Sequence, residues 1–334
     1  MKILSTSLIF FALSPLCLRA QQEASTLEEL CREAPYVATA RLTSIETSKT
    51  QILARFSVGS WHKGERKGEL VFTETTRAHC GSALHGLKKD EDYLLFFETK
   101  GTQLRILGGA RGIVVRTEAH WSAVKALLVI RNPAARARLL AGQLASSDAR
   151  IRQDAALALA DLPGLETSSK ETRNLLLTHL DREIQRTNSR ALCSLLLANS
   201  RVDAQKTAQR AWKLAIDAEH DQQSSLGRRV LLRNIGTKIM LSQVPLASAT
   251  THGSRLLLLK ALEEARSPGA IPWAEKLLLH KDLILQREAT VTLLALGSTP
   301  RSLTRRVGKD LVKQAESLRA ARRHKPRLRA IRPR

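Results

Sequence analysis

The stretch from Asp148 to Leu162 reads Asp-Ala-Arg-Ile-Arg-Gln-Asp-Ala-Ala-Leu-Ala-Leu-Ala-Asp-Leu, and it constrains the fold more than any other part of the chain. Asp148 is placed to cap a helix by accepting from the free backbone N–H groups of the first turn. Ile151, Ala155, Ala156, Leu159 and Leu162 then recur at helical spacing, which sets them on one face. Arg152 and Asp154 are read as facing outward. Ala155 and Ala156 are small enough to let a second helix approach, and Pro163-Gly164 ends the run. One helix cannot bury so wide a stripe, so it requires neighbours like itself.

Counting from Asp148, the small or apolar positions lie at +3, +7, +8, +11 and +14. The same offsets from Asp181 give Ile184, Asn188, Ser189, Leu192 and Leu195. From Asp282 they give Leu285, Ala289, Thr290, Leu293 and Leu296. The intervals are 33 and 101 residues, the second close to three times the first. Periods of this size signal a helical solenoid; an irregular helical bundle is the alternative. Further helices are expected over 121–131, 134–146, 170–180, 203–219, 226–241 and 254–266. The form Asp-x-x-Ile-Arg-x-x-Ala-Ala-x-x-Leu, with Ala295-Leu296-Gly297 at one end, resembles HEAT-type repeats. That resemblance implies an α–α superhelix that binds a protein partner along its concave side.

Before residue 120 the period changes. A short helix is expected near Leu27–Glu33. Short strands follow at Val37–Ile45, Ile52–Val58, Leu70–Thr73, Tyr93–Phe97 and Leu104–Ile106. Lys63-Gly64, Lys100-Gly101-Thr102 and Gly108–Gly112 read as turns. Five short strands behind a helix suggest a small OB-type barrel.

Residues 1–20 read as a secretory signal. Lys2 starts it, Ile3–Leu18 is mostly apolar, and Ala20 precedes a cut before Gln21. The apolar run is 16 residues long, below the ~20 of a spanning helix, and Pro15 interrupts it. A retained anchor is the alternative. Cys17 follows Leu16 where lipid attachment needs a small residue. The expectation is a secreted or periplasmic protein with no transmembrane segment in the mature chain.

Beyond the leader stand Cys31, Cys80 and Cys193. Cys193 lies in an apolar helical run and is expected as a buried free thiol. Cys31 and Cys80 are then the pair to bond in an oxidising compartment. That bond would close about 50 residues and stabilise by ~4 kcal/mol in the chain-entropy model.

Several motifs follow in order: Cys31 in the first helix, Tyr36-Val37-Ala38-Thr39-Ala40-Arg41-Leu42, Trp61-His62-Lys63-Gly64, Cys80-Gly81 and Tyr93-Leu94-Leu95-Phe96. Together they resemble the netrin-like, or tissue-inhibitor-of-metalloproteinase-like, barrel family, which implies a Cys31–Cys80 disulfide. The inhibitors of that family chelate zinc through the amine and carbonyl of an N-terminal Cys. A cut at Ala20 leaves ten residues ahead of Cys31, so that mechanism does not carry over.

Charge completes the picture. The chain carries +23. Residues 21–120 hold 14 Lys and Arg against 13 Asp and Glu, whereas 301–334 hold 13 against 2. Leu303–Arg322 is expected as a helix turning Val307, Leu311 and Leu318 inward. Residues 322–334 read as a disordered basic tail. In it Arg322, Arg323, Lys325, Arg327, Arg329, Arg332 and Arg334 are candidates for binding an anionic envelope polymer or lipid surface. No nucleic-acid-binding signature accompanies them, so nucleic acid is not an expected partner. Phosphate loops, nucleophile elbows and His-Glu-x-x-His are absent from the sequence. His79, Cys80 and His85 lack an evident fourth metal ligand. No catalytic residue, cofactor or metal is expected.

The expected architecture is therefore an α+β multidomain chain. A signal spans 1–20, a netrin-like OB-type barrel 21–120, a HEAT-like α-solenoid 121–321 and a basic tail 322–334. The expected function is non-catalytic binding of a protein partner. The alternatives are a barrel-mediated protease regulator and a polyanion-binding envelope protein.

Overall fold

The structure, a computed structural model, describes residues 25–75, 82–186, 189–216, 226–228, 230–267 and 270–324. The expected signal, Cys80 and His79, and the chain beyond His324 lie outside the described residues. A six-stranded sheet comes first and helices follow, so the chain is an α+β protein of two compact units. The first unit takes residues up to 131 together with 146–158. The second takes 132–145 and the chain from 159.

The first unit opens with helix α1 (Leu27–Glu33). Its cap is reciprocal: Thr26 Oγ1 accepts from Glu29 N at 3.1 Å, and Glu29 Oε2 accepts from Thr26 N at 2.8 Å. The strands are β1 (Tyr36–Thr47), β2 (Gln51–Lys63), β3 (Leu70–Thr75), β4 (Asp92–Lys100), β5 (Gln103–Ile106) and β6 (Ile113–Val115). They lie in the order β1-β2-β3-β5-β4-β6, and β1 also pairs with β4. The pairings β1-β2-β3-β5-β4-β1 thus return on themselves. The ring is uneven, because the parallel β3–β5 junction has a single residue pair, Phe72 opposite Leu104.

Alternation in β2 is as the sequence suggests: Ile52, Ala54 and Phe56 are buried. Phe56 and Phe72 meet edge to face, and Tyr36 stacks on Phe97. In β4 all five residues from Tyr93 to Phe97 are buried, which is why the strand reads as an unbroken apolar run. Strand β6 was not expected, since three residues carry too little pattern. Gly108–Gly112, expected as a turn, holds a 3-10 turn at Gly109–Gly112. Gly64 has φ +64°, and a Cβ there would stand 2.6 Å from the Pro35 carbonyl oxygen, so glycine is required. Helix α2 (Glu118–Val129) and residues 149–158 of α4 (Ala149–Asp161) complete the unit. Asp148 Oδ1 accepts from the amides of Arg150 and Ile151 at 2.8 and 3.0 Å, so α4 starts where its cap predicts.

The second unit contains α3 (Pro133–Gln143), α5 (Lys170–Ile184), α6 (Leu192–Val202), α7 (Ala204–Ile216) and α8 (Thr237–Gln243). They are followed by α9 (His252–Ala265), α10 (Ile271–Leu277), α11 (Leu283–Ala295), α12 (Pro300–Val307) and α13 (Lys309–His324). The strong contacts run in chain order: α5 with α6, α6 with α7, α7 with α8, α8 with α9, α9 with α11, and α11 with α13. Between α9, α10, α11 and α13 lies a core of Leu259, Ala274, Leu285, Ala289, Leu293 and Val312.

Three sequence expectations need correction here. Asp181 does not begin a helix. It is exposed inside α5 and pairs with Arg210 at 2.6 Å, because nothing between Leu180 and Asp181 breaks the helix. The offsets counted from Asp181 therefore fall across two helices, and the 33-residue interval is not a structural repeat. Asp282, by contrast, caps α11 through the amides of Ile284 and Leu285. The helix expected over 226–241 is interrupted by a π turn at Leu231–Ile235 and by Gly236 at φ +87°. The helix expected over 303–322 is split at Gly308, φ +88°. Both glycines take a left-handed conformation that a continuing helix cannot include.

Candidate functional site

In the first unit the most buried charge is Asp154, 2% exposed rather than facing outward as its sequence suggests. Its carboxylate accepts from Leu27 N at 3.2 Å and pairs with the Arg111 guanidinium. Arg150 Nε stands 3.7 Å away, and Arg150 also donates to the Arg111 carbonyl. Arg111 reaches Ser25 O at 3.1 Å. Burial, and then the neighbouring Arg111 charge, pull the Arg150 guanidinium down to about 10. This cluster ties the start of α1 and the Gly109–Gly112 turn to α4, and every member faces another, so it serves structure.

Cys31 is buried and carries a free thiol, and its Sγ lies 4.0 Å from Val124 O. Burial first, and then Glu28, push the thiol up to about 12, against the opposing effect of Lys63. Its expected bonding partner, Cys80, is outside the described residues. Lys63 Nζ donates to the carbonyls of Cys31 and Arg32, both at 3.0 Å. With its carbonyl engaged and its backbone inside α1, Cys31 presents no chelating pair to a zinc ion. Cys193, expected to be buried, is exposed. Helix α6 turns Leu192, Leu195, Leu196 and Asn199 inward, and position 193 falls off that stripe.

On the strand surface of this unit the His62 ring sits 4.1 Å from the Trp121 ring, centroid to centroid. His62 Nε2 meets Thr39 Oγ1 at 2.8 Å and Ser60 Oγ at 3.3 Å. Partial burial, and then Arg116, hold its pKa below the ordinary histidine value. Among the described residues no carboxylate is hydrogen-bonded to this imidazole.

The basic positions divide. Arg322 and Arg323 belong to α13, which runs on to His324, so the helical region extends past residue 321. Arg322 is not a free cation. It donates to Glu263 at 2.8 Å and to both oxygens of Glu288, whose nearly buried carboxylate needs a partner. Lys325, Arg327, Arg329, Arg332 and Arg334 lie outside the described residues. Arg301, Arg305, Lys309 and Lys313 are exposed, and none of the four forms an ion pair among the described residues.

An apolar tip was not expected from the sequence. Leu279, Leu283 and Ile284 are 81%, 69% and 48% exposed, at the turn between α10 and α11. A signal was present: Leu277-Leu278-Leu279 and Leu283-Ile284-Leu285 are consecutive triplets, and a helix packed on one face covers only part of such a triplet. Among the described residues no group of acidic, histidine or cysteine side chains could hold a metal ion, and no helix is long and apolar enough to cross a membrane. Comparison of the chain with protein-family models, curated proteins and solved structures finds no match.

Proposed function

We propose that this chain is a secreted or periplasmic, non-catalytic binding scaffold whose helical surface takes a protein partner. In this reading a netrin-like, OB-type barrel precedes a HEAT-like stack. The barrel assignment is supported by the returning strand pairings and the capped N-terminal helix. The stack is supported by the helix capped at Asp282, although the repeat at Asp181 falls away and most of the helix capped at Asp148 belongs to the first unit. One observation carries the functional reading: the strongest helix contacts join each helix to the next or the next but one along the chain, as in a stack built from neighbour contacts. Exposed aliphatic side chains such as Leu175 remain on the helical surface.

A photo-crosslinking residue placed in the full chain at Leu175, on the helical surface, or at Ser60, on the strand surface, tests this. Discrete protein adducts in an envelope extract from position 175, and not from 60, support the scaffold. Adducts from 60 alone favour a barrel-mediated regulator, acting by a route that does not use Cys31. The absence of adducts from both refutes the protein-partner reading. A second reading, binding of an anionic partner, is favoured by the unpaired cations of α12 and α13.

A further inference from the structure

The tip between α10 and α11 combines three features. First, Leu279, Leu283 and Ile284 together leave about two full aliphatic side chains in water. Chain reach holds them at one end of the helix pair, since four residues span at most about 14 Å. Second, the turn is built rather than frayed. Asp282 N donates to His280 Nδ1 at 3.1 Å, Gln286 Nε2 donates to the His280 carbonyl at 2.7 Å, and Asp282 caps α11. Third, the nearby charge is positive. Lys276 and Lys281 are exposed, while the neighbouring carboxylates are already engaged: Asp282 with His252 at 2.7 Å and Glu275 with Arg306.

We propose that this tip docks on an anionic lipid bilayer. The three aliphatic side chains enter the boundary between headgroups and acyl chains, and Lys276 and Lys281 meet lipid phosphates. A bilayer fits better than a protein surface. Protein interfaces favour aromatic residues and arginine and are poor in lysine, whereas aliphatic side chains flanked by lysine suit the plane of an anionic membrane. The helix pair would lie against the surface by its turn without spanning it. This inference concerns a different contact from the protein-binding surface and does not depend on it.

The test is co-sedimentation of the full chain with vesicles of phosphatidylcholine alone and of phosphatidylcholine mixed equally with phosphatidylglycerol. The high overall charge gives any surface of this protein some affinity for anionic vesicles, so the leucines decide the matter. The paired variant Leu279→Ser/Leu283→Ser alters only exposed side chains. It is expected to lower partitioning onto the anionic vesicles about tenfold or more. Lys276→Glu/Lys281→Glu is expected to cause a comparable loss that fades as salt rises. In the variant Leu279→Trp, brominated phosphatidylglycerol should quench fluorescence beyond the level of the unaltered chain. Three outcomes overturn the proposal: unchanged partitioning of the serine pair, absence of added quenching at position 279, and loss of a dimer in the serine variant with vesicle binding intact. Failure here leaves the crosslinking result at position 175 untouched, so the two readings fall separately.

Discussion

Replacing Asp154 by alanine should unfold the first unit at much lower denaturant. The carboxylate is 2% exposed and serves three groups at once: the Leu27 amide, the Arg111 guanidinium and, at 3.7 Å, Arg150 Nε. Alanine removes the carboxylate that Arg111 and Arg150, each 27% exposed, both face, and leaves the two cations beside each other with only Glu29 and Asp148 acting on them. Removing one partner of a buried pair costs about 3–5 kcal/mol. Orphaning the Leu27 N–H costs about 1–3 kcal/mol, part of which is already counted in that figure. The expected loss is therefore about 4 kcal/mol, a large share of the stability of a domain this size.

Asp154→Asn keeps an acceptor for the Leu27 amide and should lose less, about 2–3 kcal/mol. Exchanging both partners for apolar residues, as Asp154→Leu/Arg111→Met, should recover part of the loss, because the Arg111 cation no longer stands unpaired beside Arg150. Urea titration with peptide-resolved hydrogen exchange measures both size and place. Protection should fall first across Leu27–Glu33 and the Gly109–Gly112 turn. A loss under about 1 kcal/mol, or exchange that rises only beyond residue 159, would refute the argument that Asp154 pins the start of α1.

Asp282→Ala should cost about 1 kcal/mol of stability in the second unit, whereas Asp181→Ala, which caps nothing, should stay within about 0.5 kcal/mol by urea titration. Equal losses would restore a repeat at Asp181. Cys193, exposed on α6, should be alkylated by iodoacetamide at neutral pH much faster than Cys31. The Cys31 thiol stays protonated below its value of about 12, and equal rates by mass spectrometry would contradict its burial. The folded pKa of His62 lies below its ordinary value of 6.5, so the unfolded chain takes up this proton first as pH falls. Stability from this group is therefore present above pH 6.5 and is lost as pH drops toward the folded value. A His62→Gln variant should show a flatter dependence of melting temperature over about pH 5–7, and an unchanged slope would count against it.

Local signals carried a good part of the fold. Alternation in Ile52–Val58, the apolar run Tyr93–Phe97 and the caps at Asp148 and Asp282 each depend on neighbours within a few residues, so the sequence exposes them directly. The false repeat at Asp181 came from the same kind of signal. An Asp followed by spaced apolar residues looks alike at a helix start and in a helix interior, and only the continuity of α5 distinguishes them. The split at Gly308 was carried by one glycine whose backbone angle no side-chain pattern reports.

The sequence by itself determined that strands precede helices, where most of the helices lie, and that positive charge gathers toward the C-terminal end. Those properties follow from side-chain periodicity and composition. Tertiary structure alone decided that Asp154 is buried, because its partner Arg111 comes from 43 residues away. It also decided that Arg322 is an internal ion pair rather than a free cation, since α13 brings it to Glu288. Leu279, Leu283 and Ile284 stayed in water for the same reason: which apolar side chains find cover depends on which helices arrive beside them.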